Sequence, residues 1–320
     1  MKMLSKTFGV RSSAMRSLIM ALVLSTSSTA VARAESYAVI SDLDDTIKVT
    51  HSNAKDPWET VIRSLFRREA FSGMPALLQG FKQHAAPAMS RPEEPSLFVV
   101  SGTTTAARFA VQDFINLQDL DDQRTEVTLS TNPLQTVLAY KTQGFEQIAA
   151  AHPGLKFVLL GDDTSFDSEA YLAFRAAHPE KVLAIYIHRI NADATADHLQ
   201  WIASQGIHIF TTAYEVGAQE VLAGRLTVAE LAPVFQHIEA PTPNELLIPD
   251  WSYQDEDFAA REATCAQLAA LSVDAEHECT QVLATTQTAL AENAQINSGT
   301  AVRMLQFDKS LEPWVGTQAK

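Results

Sequence analysis

The chain has 320 residues, 46% of them hydrophobic, which suits one large domain or two smaller ones with real cores and excludes a disordered or collagen-like protein. Its formal net charge of −14 at pH 7 repels nucleic acid and anionic membranes at long range. The same charge hinders a phosphate-bearing ligand unless a local cation, such as a bound divalent metal, offsets it.

In chain order, the N-terminus comes first. Lys2, Lys6, Arg11 and Arg16 are followed by a short apolar stretch, 18–24, and then by Ala32-Arg33-Ala34. Basic, apolar and small-residue regions in that order predict a signal peptide over 1–34, cleaved before Glu35. The apolar stretch is too short to span a membrane. The expected location is outside the cytoplasm, in a bacterial periplasm, with a retained anchor as the alternative. Cleavage would remove five of the 24 basic residues and none of the 38 acidic ones, leaving −19.

Short apolar runs at 37–40, 97–100, 157–160 and 182–187 predict strands covered on both faces, and 126–129 and 207–210 are weaker candidates. Helical periodicity separates them at 106–116, 143–151, 168–177 and 194–204. Strands alternating with helices predict a three-layer α/β/α fold on a mostly parallel sheet, over 35–212. A small helical insert at 47–96, broken near Ser72-Gly73, is too short for a large lid. After Thr212 the pattern becomes helical: 213–223, then 228–238 with a capping box from Thr227 and Glu230. The segment 240–245 is a connector and the tail from 310 is loose. Cys265 and Cys279, the only cysteines, lie on two helical stretches joined by a short turn. In an oxidising compartment a bridge would staple that hairpin; two free buried thiols are the alternative.

Polar clusters follow four of the strands, and functional residues in open parallel sheets gather outside the carboxyl ends. Asp42-Leu43-Asp44-Asp45-Thr46 follows the first. Asp42 can attack phosphorus and Asp44 can pass a proton to the leaving group and then activate water; a polar turn would look the same. Ser101-Gly102-Thr103 follows the second, where a hydroxyl and free N–H groups can hold phosphoryl oxygens. Lys141, on the helix after Asn132-Pro133, can neutralise nucleophile and phosphate. Lys156 precedes its strand and belongs at the opposite end of the sheet. Gly161-Asp162-Asp163-Thr164-Ser165-Phe166-Asp167 follows the fourth predicted segment: glycine for a sharp turn, Asp162 or Asp163 as ligand to a hard cation, and Asp167 orienting a metal-bound water. Asp167 or Ser168 can also simply cap the next helix. Together the four clusters predict phosphoryl transfer with one Mg²⁺, bridging Asp42 and phosphate with the Asp44 backbone carbonyl as a further ligand. Structural Ca²⁺ binding is the rival, but the spacing lacks an EF-hand loop.

These residues resemble the haloacid dehalogenase superfamily of phosphohydrolases. Asp42, Asp44 and Thr46 match its first motif, Ser101 its second, Lys141 its third, and Asp162 with Asp167 its fourth. More narrowly, VISDLDDTIKVT, FSGMPALLQGF, FVVSGTT, LKFVLLGDDTSFDSEAYLAF and VLAIYIHRI resemble the catalytic-domain family named after the yeast actin patch phosphatidate phosphatase. The resemblance implies a Mg²⁺-dependent phosphomonoesterase, with phosphatidate as one lipid substrate. Glu169-Ala170-Tyr171 echoes that family's acid-x-tyrosine pattern, and His188-Arg189 echoes its isoleucine-arginine. Two positions depart. Ser101-Gly102-Thr103-Thr104-Thr105 replaces serine-asparagine-serine-proline-tryptophan, removing an aromatic beside the phosphate pocket, and Asp163 stands where serine is usual.

The sequence thus predicts a secreted Mg²⁺-dependent phosphatase with a minimal cap, an aspartyl-phosphate intermediate and a helical C-terminal region over 213–320. Thr46, Gly102, Thr103 and Arg189, with His188, are candidate substrate contacts. Asp42, Asp44, Asp162, Asp163 and Asp167 are candidate metal ligands. The partner is a phosphorylated small molecule or lipid phosphate. A catalytically silent binding module and a phosphotransferase are the alternatives.

Overall fold

The computed structural model describes residues 36–50, 65–132 except 90 and 92, 135–190, 194–239 and 255–296. The expected signal peptide, the first part of the insert, the 240–245 connector and the tail lie outside the described residues. Six strands are described: β1 (Tyr37–Ser41), β2 (Leu97–Thr104), β3 (Thr125–Ser130), β4 (Lys156–Asp162), β5 (Val182–His188) and β6 (His208–Phe210). All neighbouring pairs are parallel, in the order β3-β2-β1-β4-β5-β6. Every residue of β1 is buried, as expected of a central strand with helices on both faces.

The strand order reverses between β1 and β4. From β1 the chain builds outward through β2 and β3, then returns to place β4 on the other side of β1. The two carboxyl ends therefore diverge over a crevice between them, the usual ligand position in an open parallel sheet. Ser41 pairs with Leu160, and Asp162 with His188. Asp42 and Asp162 are thus placed beside one another by register, although 120 residues separate them in sequence.

The helices are α1 (Met74–Ala85), α2 (Arg108–Leu117), α3 (Val137–Ala151), α4 (Asp167–Ala177), α5 (Ala196–Ser204), α6 (Ala213–Leu222), α7 (Val228–Glu239), α8 (Asp255–Leu268) and α9 (Val273–Ile296). α3 and α4 pack together over β2, β4 and β5, through Phe145, Tyr171 and Phe174. α1, α6 and α7 form a second group, which α8 and α9 extend. α1 begins where the sequence reading put the break. Gly73 takes φ 77°, and a Cβ there would lie 3.0 Å from Val234 of α7, so only glycine suits the position. α1 buries Met74, Leu77, Leu78 and Phe81. Within the insert, α1 is therefore a layer helix packed on β1 and α7.

The C-terminal helices continue the same layer. A Cβ on Gly217 would lie 2.5 Å from Leu231, so α6 and α7 touch at this residue. Arg261 of α8 forms an ion pair of 2.9 Å with Glu215 at the start of α6, and Tyr214 donates to the Ala275 carbonyl of α9 at 3.0 Å. The Thr227–Glu230 capping box is present, the Thr227 N–H donating to Glu230 at 2.7 Å and the Glu230 N–H to Thr227 at 3.2 Å. The Cys265–Cys279 disulfide joins α8 to α9. Among the described residues no helix is long and apolar enough to cross a membrane.

Candidate active site

β1 ends in a tight turn. The N–H groups of Ile47 and Lys48 both donate to the Leu43 carbonyl, and residues 47–49 then pair with 69–71. Asp45 makes this turn. It adopts φ 62°, a conformation that aspartate tolerates better than most residues, and its carboxylate accepts from the Thr50 N–H and hydroxyl, both at 3.0 Å. Of the three clustered carboxylates, Asp45 shapes the loop. Asp42 and Asp44 remain for chemistry.

Asp42 is tied to β4 by its N–H, which donates to the Leu160 carbonyl at 2.9 Å. Its carboxylate meets Lys141 Nζ at 2.9 Å. Lys141 also pairs with Asp167 and donates to Ser165 at 3.3 Å. The side chains of Asp42, Lys141 and Asp167 are almost wholly buried. Lys141 sits in the second turn of α3, which starts six residues before the predicted 143. A side chain there leans back toward the helix N-terminus and so toward the carboxyl ends of the strands. Asp44 lies on the other side. It accepts from Thr103 Oγ1 at 2.8 Å and Ser101 Oγ at 3.3 Å. Its Oδ1 is buried and has no hydrogen-bond partner among the described residues.

Asp42, Asp162 and Asp167 each offer an oxygen within 4.8 Å of the others, a group that could hold a metal ion. Asp162 accepts from the Thr164 N–H at 2.6 Å and from Thr46 at 3.4 Å. Asp163 is oriented differently: its Oδ1 takes the Ile190 N–H at 2.8 Å, which secures the loop to the chain leaving β5. The pair that the sequence leaves open is therefore divided, with Asp162 facing Asp42. Asp167 departs from the capping reading. Phe166 is the N-cap of α4, and the Asp167 carboxylate accepts from the Asp162 N–H at 3.1 Å while pairing with Lys141.

Gly161 also has a different purpose from the one expected. It lies inside β4 and does not turn the chain; a Cβ there would come within 2.6 Å of Asp167 Cβ. Its missing side chain is the space Asp167 occupies. Gly161→Ala is expected to cost about 1–3 kcal/mol through overpacking and to lower turnover at least tenfold by displacing Asp167 from Lys141. Thermal melting and steady-state kinetics would check this; a variant with unchanged turnover would show that Asp167 need not approach so closely.

The electrostatics follow from burial. Three carboxylates share one lysine, so their fixed charge is −2 when all are ionised. Burial pushes the Asp42 carboxyl up to about 8 against the pull of Lys141, with Asp167 and Asp44 adding to the rise. Burial, then Asp167 and Asp42, drives Asp162 well above the usual carboxylate range. Burial likewise raises Asp44. For Lys141, burial works against the charge, but Asp167 and Asp42 hold the ammonium protonated. Oxygen donors with a surplus of two negative charges fit a hard divalent cation.

The remaining candidates are spread around this centre. Thr46 is fully buried against Asp162, and Gly102 is half-buried beside Val137. Arg189 is only 6% exposed and gives its backbone N–H to Phe210. His188 does not face solvent. Its ring stacks on Phe210, with Nδ1 2.9 Å from the Asp45 carbonyl and Nε2 3.2 Å from that of Thr211. It braces the loop after β1 at Asp45. Sequence reasoning missed two residues. Lys48 is fully buried, with its ammonium 5.7 Å from the Phe114 ring centroid and an attraction to Asp44 that opposes its desolvation. Tyr140 precedes Lys141 and is buried, its hydroxyl without a hydrogen-bond partner among the described residues. Neither carries a motif; only the packing reveals them.

A parallel sheet whose carboxyl edge gathers Asp42, Asp44, Ser101, Lys141, Asp162 and Asp167 is the arrangement that the resemblance to haloacid dehalogenase phosphohydrolases predicts. Residues 37–189 match the family model described as phosphatidate phosphatase APP1, catalytic domain. Residues 37–189 are thus similar to a phosphatase catalytic domain. No curated protein matches the chain. Among solved structures, a HAD family hydrolase from Deinococcus radiodurans R1 with bound phosphate and sodium is similar at a TM-score of 0.37 and 12% identity, over 60% of this chain and 99% of its own.

Proposed function

We propose that the protein hydrolyses phosphomonoesters with Mg²⁺, through a phosphoryl group carried on Asp42. The observation that bears this reading is the buried Lys141 bridging Asp42 and Asp167 at the reversal of strand order, with Asp162 alongside. In the first step an Asp42 oxygen attacks phosphorus and the bond from phosphorus to the leaving oxygen breaks. Asp44, whose carboxyl pKa is raised by burial, gives that oxygen its proton. In the second step Asp44, now a carboxylate, takes a proton from water as the water oxygen attacks phosphorus. The bond to Asp42 breaks and inorganic phosphate leaves. Lys141 orients Asp42 and offsets developing charge, while Ser101 and Thr103 aim Asp44. Asp42, Asp162 and the Asp44 carbonyl would hold Mg²⁺, with Asp167 behind them. Bound there, the ion would supply positive charge to offset the carboxylates.

Lipid phosphates are the proposed substrate class. The family match supports this, as do three exposed apolar side chains in the first turns of α2 and α3 and at the N-cap of α4. These are Phe109, Val137 and Phe166, all at the carboxyl edge of the sheet, where acyl chains would leave the site. Gly102 and Arg189 are the proposed contacts to the rest of the substrate. The disulfide supports an exported, periplasmic enzyme. The test is phosphate release from phosphatidate, lysophosphatidate, nucleotides, sugar phosphates and an aryl phosphate, with Mg²⁺ and with chelator. Metal-dependent release favouring the lipids is expected. A folded protein that releases phosphate from none of them would sink the reading, and release favouring nucleotides or sugars would remove its lipid part.

A further inference from the structure

Helix α3 presents a continuous stripe to the end of β2. A Cβ added to Gly102 would lie 3.5 Å from both methyls of Val137, and one added to Gly144 would lie 3.3 Å from Val100. Lys141, between them, reaches Asp42. Tyr140 occupies the same stripe, since residues three and four apart on a helix are neighbours. Its side chain, like that of Lys141, leans toward the helix N-terminus and the site.

Tyr140 is 8% exposed, and its buried hydroxyl has no hydrogen-bond partner among the described residues. A buried hydroxyl left unpaired is costly, and proteins leave few of them without a purpose. Burial raises its pKa to about 12, with Lys141 and Arg108 opposing the rise and Asp42 adding to it. The group therefore stays a protonated donor and lies within electrostatic reach of the nucleophile and of Arg108. Arg108 opens α2, five residues beyond Thr103. It is exposed, and no ion pair or hydrogen bond engages its guanidinium among the described residues. On a protein of charge −14, an uncommitted arginine beside the mouth of a buried carboxylate cluster is placed to meet an anion.

We propose that Tyr140 and Arg108 form a capture site for the phosphoryl dianion, Arg108 drawing it to the mouth and the Tyr140 hydroxyl donating to one of its oxygens beside Asp42. The proposal rests on the phosphatase reading and adds two phosphate contacts outside the four motifs. It also answers how an acidic protein attracts a dianion: the arginine supplies local positive charge at the rim, where an ion bound in the centre is screened by its own ligands.

The test titrates the otherwise unaltered full chain calorimetrically with inorganic phosphate in Mg²⁺. Adding Tyr140→Phe or Arg108→Ala should each weaken phosphate binding about tenfold, the worth of one hydrogen bond to a charged group. In the otherwise unaltered enzyme the loss should fall on KM more than on kcat. Arg108→Ala should flatten the salt dependence of kcat/KM, and Arg108→Lys should restore part of it. Phosphate affinity within twofold of the parent in both variants would overturn the proposal while leaving the phosphatase reading intact. So would a lowered melting temperature with unchanged affinity, which marks a structural role. A parent that binds no phosphate would overturn both.

Discussion

Asp42→Asn is expected to abolish phosphate release, by roughly 10⁴-fold or more as for other lost nucleophiles, while raising the melting temperature of the metal-free protein by a few degrees. The two effects have one cause. Asp42 is buried, and desolvation together with Asp167 and Asp44 makes its ionisation costly against the pull of Lys141. The amide has nearly the same shape, keeps an oxygen for Lys141 and carries no charge. Removing the carboxylate thus removes the attacking group and relieves repulsion that the fold otherwise tolerates for function. Calorimetric melting in chelator, alongside a phosphate-release assay, checks both. A variant that melts lower would show that the Asp42–Lys141 pair stabilises the fold, and a variant that still turns over would dismiss Asp42 as nucleophile.

Lys141→Ala should produce the opposite pair of outcomes, losing both activity and stability. It removes the cation that Asp42 and Asp167 share and leaves three buried carboxylates uncompensated. Breaking a buried charge pair from one side costs about 3–5 kcal/mol. The sign of the pH dependence follows from the direction of the shifts. Asp42 and Asp162 have folded-state pKa values raised above their unfolded ones. Their penalty is absent below the unfolded value of about 3.9 and grows as pH rises toward the folded value, about 8 for Asp42. The stability gap between wild type and Lys141→Ala, measured by denaturant unfolding in chelator, should therefore be widest near pH 8 and narrow toward pH 4. Saturating Mg²⁺ should close part of it at pH 7 by binding the folded state alone. A gap independent of pH would mean that lost packing, and not charge, explains the variant.

The sequence by itself carried the alternation of strand and helix, the four polar clusters at strand ends, the Thr227–Glu230 cap and the cysteine pair. Each is a local signal: apolar runs, periodicity and capping chemistry act over a few residues and remain readable without contacts. Even their errors are local. The start of α3 was placed late because Val137 and Leu138 break no pattern, and Gly161 was assigned a turn because turning is what glycine does when nothing else is known. Only the tertiary structure decided which carboxylate does what. Asp42, Asp44 and Asp45 look alike in a row, yet one meets Lys141, one meets Thr103 and one closes the loop on Thr50. Asp162 and Asp163 are adjacent, yet strand register turns the first to Asp42 and the second to Ile190. In the sequence His188 is a candidate substrate contact and Tyr140 carries no expectation, yet the His188 ring is engaged by the Asp45 and Thr211 carbonyls and Tyr140 keeps a hydroxyl without a partner among the described residues. Side-chain direction and solvent exclusion depend on what packs opposite, and the residues opposite lie tens to more than a hundred positions away in the chain.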